Sequence, residues 1–337
     1  MNTPLPSWLD FFAIPCSWLY GRIVIIRNKF YDNVRNVKKV PIPVISVGNL
    51  TVGGTGKTPL VTWIVRKLRE HGYRPAVVMR GYASVNPENA DEAVEYRERL
   101  GEIDIIVGAD RFLQISNYIE NGGSANCLVM DDGFQHRRLH RDLDIVVLDY
   151  LRDAFSQRML PAGWLREPIT GLKRADAVVV SHTQKSEPHF AGEVKQISSK
   201  EPIAWTSHHW TDLHIHDENG DRNVELNWLT GKSVAVRLGI GHPRPVIEAL
   251  VRLGSRIAKQ LPAGDHQPFS TSELSNLIET SLGVDAIVMT LKDWVKARDV
   301  IDISKMQCPI VVPNLVLETV EGDKELESLL LGVFKIR

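Results

Sequence analysis

Residues 47–59 read VGNLTVGGTGKTP, and they restrict what this chain can become more than any other stretch. An apolar run, VPIPVISVG from Val40, leads into the glycines. A helical pattern follows them, with Leu60, Val61, Ile64, Val65 and Leu68 at helical spacing. A strand, a glycine-rich turn and Lys-Thr at a helix start form a phosphate-binding loop, in which backbone N–H groups and the positive helix end face the anion. The general pattern asks for Gly six residues before the Lys, and that position is Thr51. The missing Gly is the one farthest from Lys57, so residues Thr51, Val52, Gly53, Gly54, Thr55, Gly56, Lys57 and Thr58 still read as a nucleotide site. Lys57 can reach the β- and γ-phosphates, and the Thr58 hydroxyl can bind Mg²⁺.

Downstream, short Val/Ile/Leu-rich runs alternate with helical patterns. RPAVVMRGY, IDIIVGA, ANCLVMDDG, LDIVVLDY and ADAVVVSH all read as buried strands. Such runs separated by helices predict a mostly parallel sheet covered on both faces. Around 183–230 the pattern weakens into polar, His- and Trp-rich sequence that reads as irregular or antiparallel. The rhythm resumes with KSVAVRLGI, RPVIEALVRLG, STSELSNLIETSLG, DAIVMTLKD, CPIVVPN and DKELESLLLGVFKI. The expected fold is therefore α/β: a P-loop kinase-like parallel sheet covered by helices (40–184), then a second, smaller α/β unit (185–337).

A P-loop needs an acid for its metal at the end of a neighbouring strand. CLVMDDGFQH supplies Asp131 and Asp132 after four apolar residues. One can hold Mg²⁺ and the other can orient a catalytic group, with an N-cap pair as the plainer alternative. Arg137, Arg138 and Arg141 follow as a basic segment that either grips a phosphate or is simply solvated. Asp91 and Glu92 follow the MRGY strand end, at the edge of a parallel sheet where ligands collect. LPAGWLREP carries Arg166 and Glu167, and GDHQPF carries Asp265 and His266. The histidines at 208, 209, 214 and 216 lack zinc-type spacing with Cys and read as non-catalytic.

Residues 1–39 are different. WLDFFAIPCSWLYGRIVIIRNKFYD is aromatic and aliphatic, and the uncharged run from Phe11 to Gly21 is too short to span a bilayer. Six basic and two acidic side chains give this segment a net charge of +4. That suits a helix lying on an anionic membrane surface, or one packed on its own domain. The whole chain of 337 residues carries a net charge of −1, so no global field draws it to nucleic acid. Three cysteines far apart form neither a disulfide framework nor a metal pattern.

Two function classes fit these features: a kinase acting on a small or membrane-borne acceptor, and a P-loop ATPase serving as a nucleotide-dependent switch on a protein partner. Guanine specificity is unsupported, because in TLKD (Thr290 to Asp293) the Lys stands one place too late. Taken together in order, PVISVGNLTVGGTGKTP, RGY, DDGFQHRRL, LPAGWLREP, KRADAVVV, GIGHP and DHQ resemble the tetraacyldisaccharide 4′-kinases of lipid A biosynthesis. The VGNLT opening is typical of that family, so Thr51 belongs to its signature.

The resemblance implies ATP- and Mg²⁺-dependent phosphorylation of the 4′-hydroxyl of an acylated glucosamine disaccharide 1-phosphate, giving lipid IVA. It also implies two α/β/α units with the active site in the cleft between them. The enzyme would be peripheral, on the cytoplasmic face of the inner membrane and held by its N-terminal helix. By the same resemblance, Lys57 and Thr58 hold phosphate and Mg²⁺, and Asp131 and Asp132 form the metal-side acidic pair. Asp91 is the base for the sugar hydroxyl, His266 pairs with it, and Arg166 lies near the transferred phosphate. The chain departs from the family pattern at Ala90, Ala93, Ala83, Ser84, Leu238 and Leu291. On this reading Asp91→Ala and His266→Ala each lower turnover by about 10²-fold or more, measured by steady-state kinetics. Near-wild-type turnover in both removes the base assignment.

Overall fold

The structure is a computed structural model and describes residues 4–81, 91–241, 243–263 and 269–335. In chain order the elements begin with α1 (Asp10–Asp32), β1 (Val44–Asn49), α2 (Lys57–Glu70), β2 (Pro75–Met79) and α3 (Asp91–Leu100). Next come β3 (Ile105–Val107), α4 (Arg111–Glu120), β4 (Cys127–Asp131), β5 (Leu143–Asp149), β6 (Ala177–Ser181) and α5 (Pro188–Ser198). β7 (Ala204–Asp217), β8 (Gly220–Val224), β9 (Ser233–Arg237), α6 (Arg244–Arg252), β10 (Arg256–Leu261) and α7 (Thr271–Ser281) follow. The chain closes with β11 (Ala286–Met289), α8 (Leu291–Ala297), β12 (Ile310–Glu321) and α9 (Asp323–Gly332).

The chain divides into two compact units, residues 1–93, 99–208 and 317–337 forming one and 94–98 and 209–316 the other. The division falls within β7 and β12, whereas composition alone drew a boundary at 184/185.

In the first unit the strand order is β7-β6-β5-β1-β4-β2-β3. Every pairing along it is parallel. β1 lies between β4 and β5, and the chain leaves it over β4 to reach β2. That reversal is the switch point at which parallel sheets open a crevice for ligands beyond the strand ends. All residues of β1, β2, β4, β5 and β6 are buried, which is why each reads as a continuous apolar run. One core cluster joins Val44, Ala76, Leu128 and Ile115, and another joins Leu50, Phe134, Val146, Val178 and Trp205.

α2 buries Leu60, Val61, Ile64, Val65 and Leu68, the positions that its period marks. It begins at Lys57, where Gly56, at φ +81, turns the chain into the helix.

The second unit contains β9, β10, β11 and the first part of β12, in parallel order β10-β9-β11-β12. α7 is closed at its start by a capping box between Ser270 and Glu273, as its Ser/Thr-rich start suggests. Residues 183–230, expected to be irregular or antiparallel, hold helix α5 and a 14-residue strand, β7, which pairs antiparallel with β8. The strand was obscured because polar side chains occupy buried as well as exposed positions along it, Thr206, Ser207 and His216 among the buried ones. Cys127 and Cys308 are buried, and burial pushes their thiols up to about 12 and about 11.

Helix α1 packs with a narrow face of Ala13, Ser17, Gly21 and Val24, spaced to lie one above another. The Ser17 hydroxyl donates to the Met159 carbonyl at 2.8 Å, and Gly21 lies close to the Met159 side chain. The other face is uncovered: Phe11, Trp18 and Ile26 are 80%, 71% and 69% exposed.

Gly48, in the middle of the buried core, fixes the loop after β4. A Cβ there would stand 2.5 Å from Phe134 Cβ and 2.7 Å from its backbone nitrogen. Gly48→Ala therefore forces the 132–135 turn away from β1. We expect a loss of about 1–3 kcal/mol in urea unfolding, as for other overpacked core positions.

Candidate functional site

The loop after β1 is shaped by a partner 114 residues downstream. Thr51 is buried and its backbone bridges Leu165 in antiparallel fashion. The Val52 N–H donates to the Trp164 carbonyl at 2.8 Å, and the Arg166 N–H donates to the Leu50 carbonyl at 2.7 Å. The first residue of the loop is thus extended backbone paired to another segment. A threonine is at home there, and glycine would only add freedom to be lost.

Within the loop, the Asn49 amide donates to Thr55 Oγ1 at 2.9 Å, and the Ser181 hydroxyl donates to the Thr55 carbonyl at 2.8 Å. Thr55 is buried by these contacts, while Gly54 is exposed and has no neighbour where a Cβ would point. The loop is therefore clamped at its base and open at its tip. Lys57 and Thr58, both half-buried, open α2.

The pairing beside Thr51 also delivers Arg166 to the loop. Its Nη1 donates to both oxygens of Asp132, at 2.9 and 2.7 Å. Lys57 Nζ lies 3.3 Å from Asp132 Oδ1. Asp132 adopts a left-handed backbone, φ +51, an uncommon conformation for a non-glycine residue that recurs at functional turns. Burial pushes its carboxyl up, but Lys57 and Arg166 together outweigh this and hold it at about 2. Three of the expected residues, Lys57, Asp132 and Arg166, thus stand in one charged cluster.

Asp131 ends β4, buried, paired in register with Val47 of β1. Asp91 is the first residue of α3, half-buried. The chain reaches it from the C-terminal end of β2, the same sheet edge at which β1 and β4 end. His266 lies outside the described residues.

The Thr58 hydroxyl and the Asp131 carboxylate are hard oxygen donors, of the kind Mg²⁺ takes. Among the described residues no group of three or more His, Cys, Asp or Glu forms a protein-only metal cage.

The basic segment after Asp132 is engaged structurally. Arg137 Nη1 donates to the Asn28 carbonyl at 2.5 Å and Nη2 to Asp32 at 2.8 Å, fastening the end of α1. Arg138 pairs with Asp110, the N-cap of α4, and Arg141 pairs with buried Asp144.

Other polar residues gather near the loop, of which the sequence had singled out Glu167 and His208 but not Asp149, Arg152, Ser181 or His182. Asp149 and Ser181 close β5 and β6, each a polar residue ending a buried run, as Asp131 does for β4. His182 Nδ1 lies 2.9 Å from Asp149 Oδ1, and its ring meets that of His208 edge-on. His208 in turn sits against Gly56, where a Cβ would be 2.7 Å from its ring. Arg152 Nη1 donates to the Val52 carbonyl at 3.2 Å. Glu167 is 1% exposed, and its carboxylate accepts from Asn28 at 3.2 Å, Gln135 at 2.8 Å and Arg174 at 3.0 Å.

Comparison with known proteins sets this geometry in a family. The pattern described as LpxK, tetraacyldisaccharide-1-P 4′-kinase, matches residues 9–335. The chain belongs to this family. It is 36% identical to the tetraacyldisaccharide 4′-kinase of Syntrophus aciditrophicus (strain SB), covering 99% of this chain and 94% of that one. It is 35% identical to the enzyme of the same name from Geobacter sulfurreducens, covering 84% of this chain and 83% of that one. A crystal structure of the LpxK "apo" form from Aquifex aeolicus in complex with ATP superposes with a TM-score of 0.70 at 26% identity. That match covers 95% of this chain and 98% of the other. The resemblance read from the motifs is borne out, and so are the P-loop α/β fold and the enzyme class.

Asp132 is a group whose folded pKa is depressed, so its stabilisation is present above about pH 4 and is lost as pH falls toward 2. A ¹³C titration of its carboxyl carbon should show no inflection between pH 4 and 9. An inflection in that range would mean that Lys57 and Arg166 do not hold it.

Proposed function

We propose that this chain transfers the γ-phosphate of ATP to the 4′-hydroxyl of a tetraacyldisaccharide 1-phosphate, making a bisphosphorylated lipid A precursor. The observation that carries this reading is the Lys57–Asp132–Arg166 cluster seated on the P-loop of a chain belonging to the LpxK family. Two cations gathered at a glycine loop are what a triphosphate requires. In their present arrangement Asp132 neutralises them.

Phosphoryl transfer asks little covalent chemistry of the protein; position and charge neutralisation do most of it. The loop N–H groups and the start of α2 hold the β- and γ-phosphates, with Lys57 across them. Arg166 meets the charge that develops on the transferred group. Asp91 takes the proton from the 4′-hydroxyl as its oxygen bonds to the γ-phosphorus. The bridging P–O bond breaks and ADP departs. By the motif resemblance alone, His266 is the residue that would raise the basicity of Asp91. Mg²⁺, held by Thr58 and Asp131, would neutralise phosphate charge. Asp132 keeps the lysine and arginine in register.

The acceptor is a lipid, and the uncovered face of α1 suits it. No described helix is long and apolar enough to cross a membrane. A helix with Phe11, Trp18 and Ile26 outward and its small face docked lies in the plane of an interface. We place the enzyme on the cytoplasmic face of the inner membrane, on an anionic surface.

Incubation with labelled ATP, Mg²⁺ and the disaccharide 1-phosphate should give a bisphosphorylated lipid. Lys57→Ala should lower kcat/KM by about 10²-fold or more. ATP hydrolysis stimulated by a protein partner, with no lipid product, would replace this reading with a switch. The triple change Phe11→Ser, Trp18→Ser, Ile26→Ser leaves the docked face intact and should abolish co-sedimentation with phosphatidylglycerol vesicles. Undiminished co-sedimentation would remove the membrane role of α1.

A further inference from the structure

Arg166 is held from three sides. Its side chain is on Asp132, and its N–H is on the Leu50 carbonyl, one residue before the loop. Its carbonyl accepts a hydrogen bond from the Tyr20 hydroxyl of α1 at 2.9 Å. Burial raises the Tyr20 phenol above its usual range, so it remains a donor at neutral pH. The next residue, Glu167, is held by α1 as well, through Asn28. Gln135, which also donates to Glu167, donates in addition to the Asn49 carbonyl at 2.7 Å, at the base of the P-loop. A third contact, Ser17 to the Met159 carbonyl, pins the same loop where Met159 bridges Leu165. The helix whose outer face is bare is therefore wired, through its inner face, to the arginine of the charged cluster.

We propose that Tyr20 and Asn28 are positioning residues that tie the seating of α1 to the placement of Arg166, so that phosphoryl transfer responds to the acylated lipid surface touched by the outer face of α1. This rests on the kinase reading above. Pro15 interrupts the backbone ladder near the start of α1, but beyond it the helix runs unbroken to Asp32, so Trp18 to Asn28 move as one body. A shift imposed on Trp18, Leu19, Ile23 or Ile26 is therefore a shift of Tyr20 and Asn28. Withdrawing Asn28 strips one of three donors from a buried carboxylate, which is costly, so the docked position of α1 is the one that Glu167 favours. Misplacing a charge-stabilising group by a fraction of an ångström to an ångström slows a reaction that depends on position.

The test uses the full chain and the double variant Tyr20→Phe/Asn28→Ala, which keeps the outer face and the small docking residues. We expect kcat to fall about tenfold. KM for ATP and vesicle co-sedimentation should be unchanged. In an Arg166→Ala background the same double change should cause no further loss, because coupled residues are not additive. A full additional tenfold loss in that background overturns the proposal, as does an unchanged kcat. A second readout needs no reaction: hydrogen–deuterium exchange of residues 158–168 with and without phosphatidylglycerol vesicles. Vesicles should slow exchange there in the wild type and not in the double variant, and an equal response in both overturns the proposal. If the wild type makes no lipid product yet shows the exchange response, the kinase reading fails while the coupling stands.

Discussion

Lysine and arginine side chains repel when they converge, and a phosphate-binding loop requires them to converge. Asp132 resolves this: one carboxylate lies within ion-pair distance of Lys57 and accepts two hydrogen bonds from Arg166. Its own environment shows which effect prevails. Burial alone would drive the carboxyl toward protonation, yet the two cations hold it at about 2. The rest of the site follows from keeping these three groups in place. The left-handed turn at Asp132 aims the carboxylate, and Phe134, wedged over Gly48, fixes the turn. The pairing of residues 50–52 with 164–166 brings the arginine.

Much of this was legible in the sequence where the chemistry is local. The glycine loop, the helix after it and the acid pair after a buried strand are all written within a few residues. Their geometry follows from backbone preferences that one sequence displays. The continuous apolar runs announced a parallel sheet, because strands covered on both faces leave no room for alternation.

What was hidden depends on contacts far apart in the chain. Thr51 departs from the usual glycine because its backbone bridges Leu165, and no spacing rule reaches that far. Glu167 is a node for Asn28, Gln135 and Arg174, the first of them 139 residues away. Arg137, Arg138 and Arg141 looked as suitable for phosphate as Arg166 does. Only their partners, Asp32, Asp110 and Asp144, distinguish them. Residues 204–217 looked irregular because polar side chains, His216 and Ser207 included, occupy buried positions too, so the alternation of burial has no matching alternation of apolar residues.

The small-residue face of α1 has a consequence for how this protein can vary. Ala13, Ser17, Gly21 and Val24 are buried against the first unit, so a bulky side chain there lifts the helix, although Gly21 has room for a methyl group. On the opposite face Phe11, Trp18 and Ile26 are largely exposed, and there one bulky apolar residue can replace another with the fold indifferent to the exchange. The helix is thus two surfaces under separate rules. Its inner surface is frozen by geometry. On the membrane role proposed for it, its outer surface needs only to stay apolar, whichever side chains supply that character.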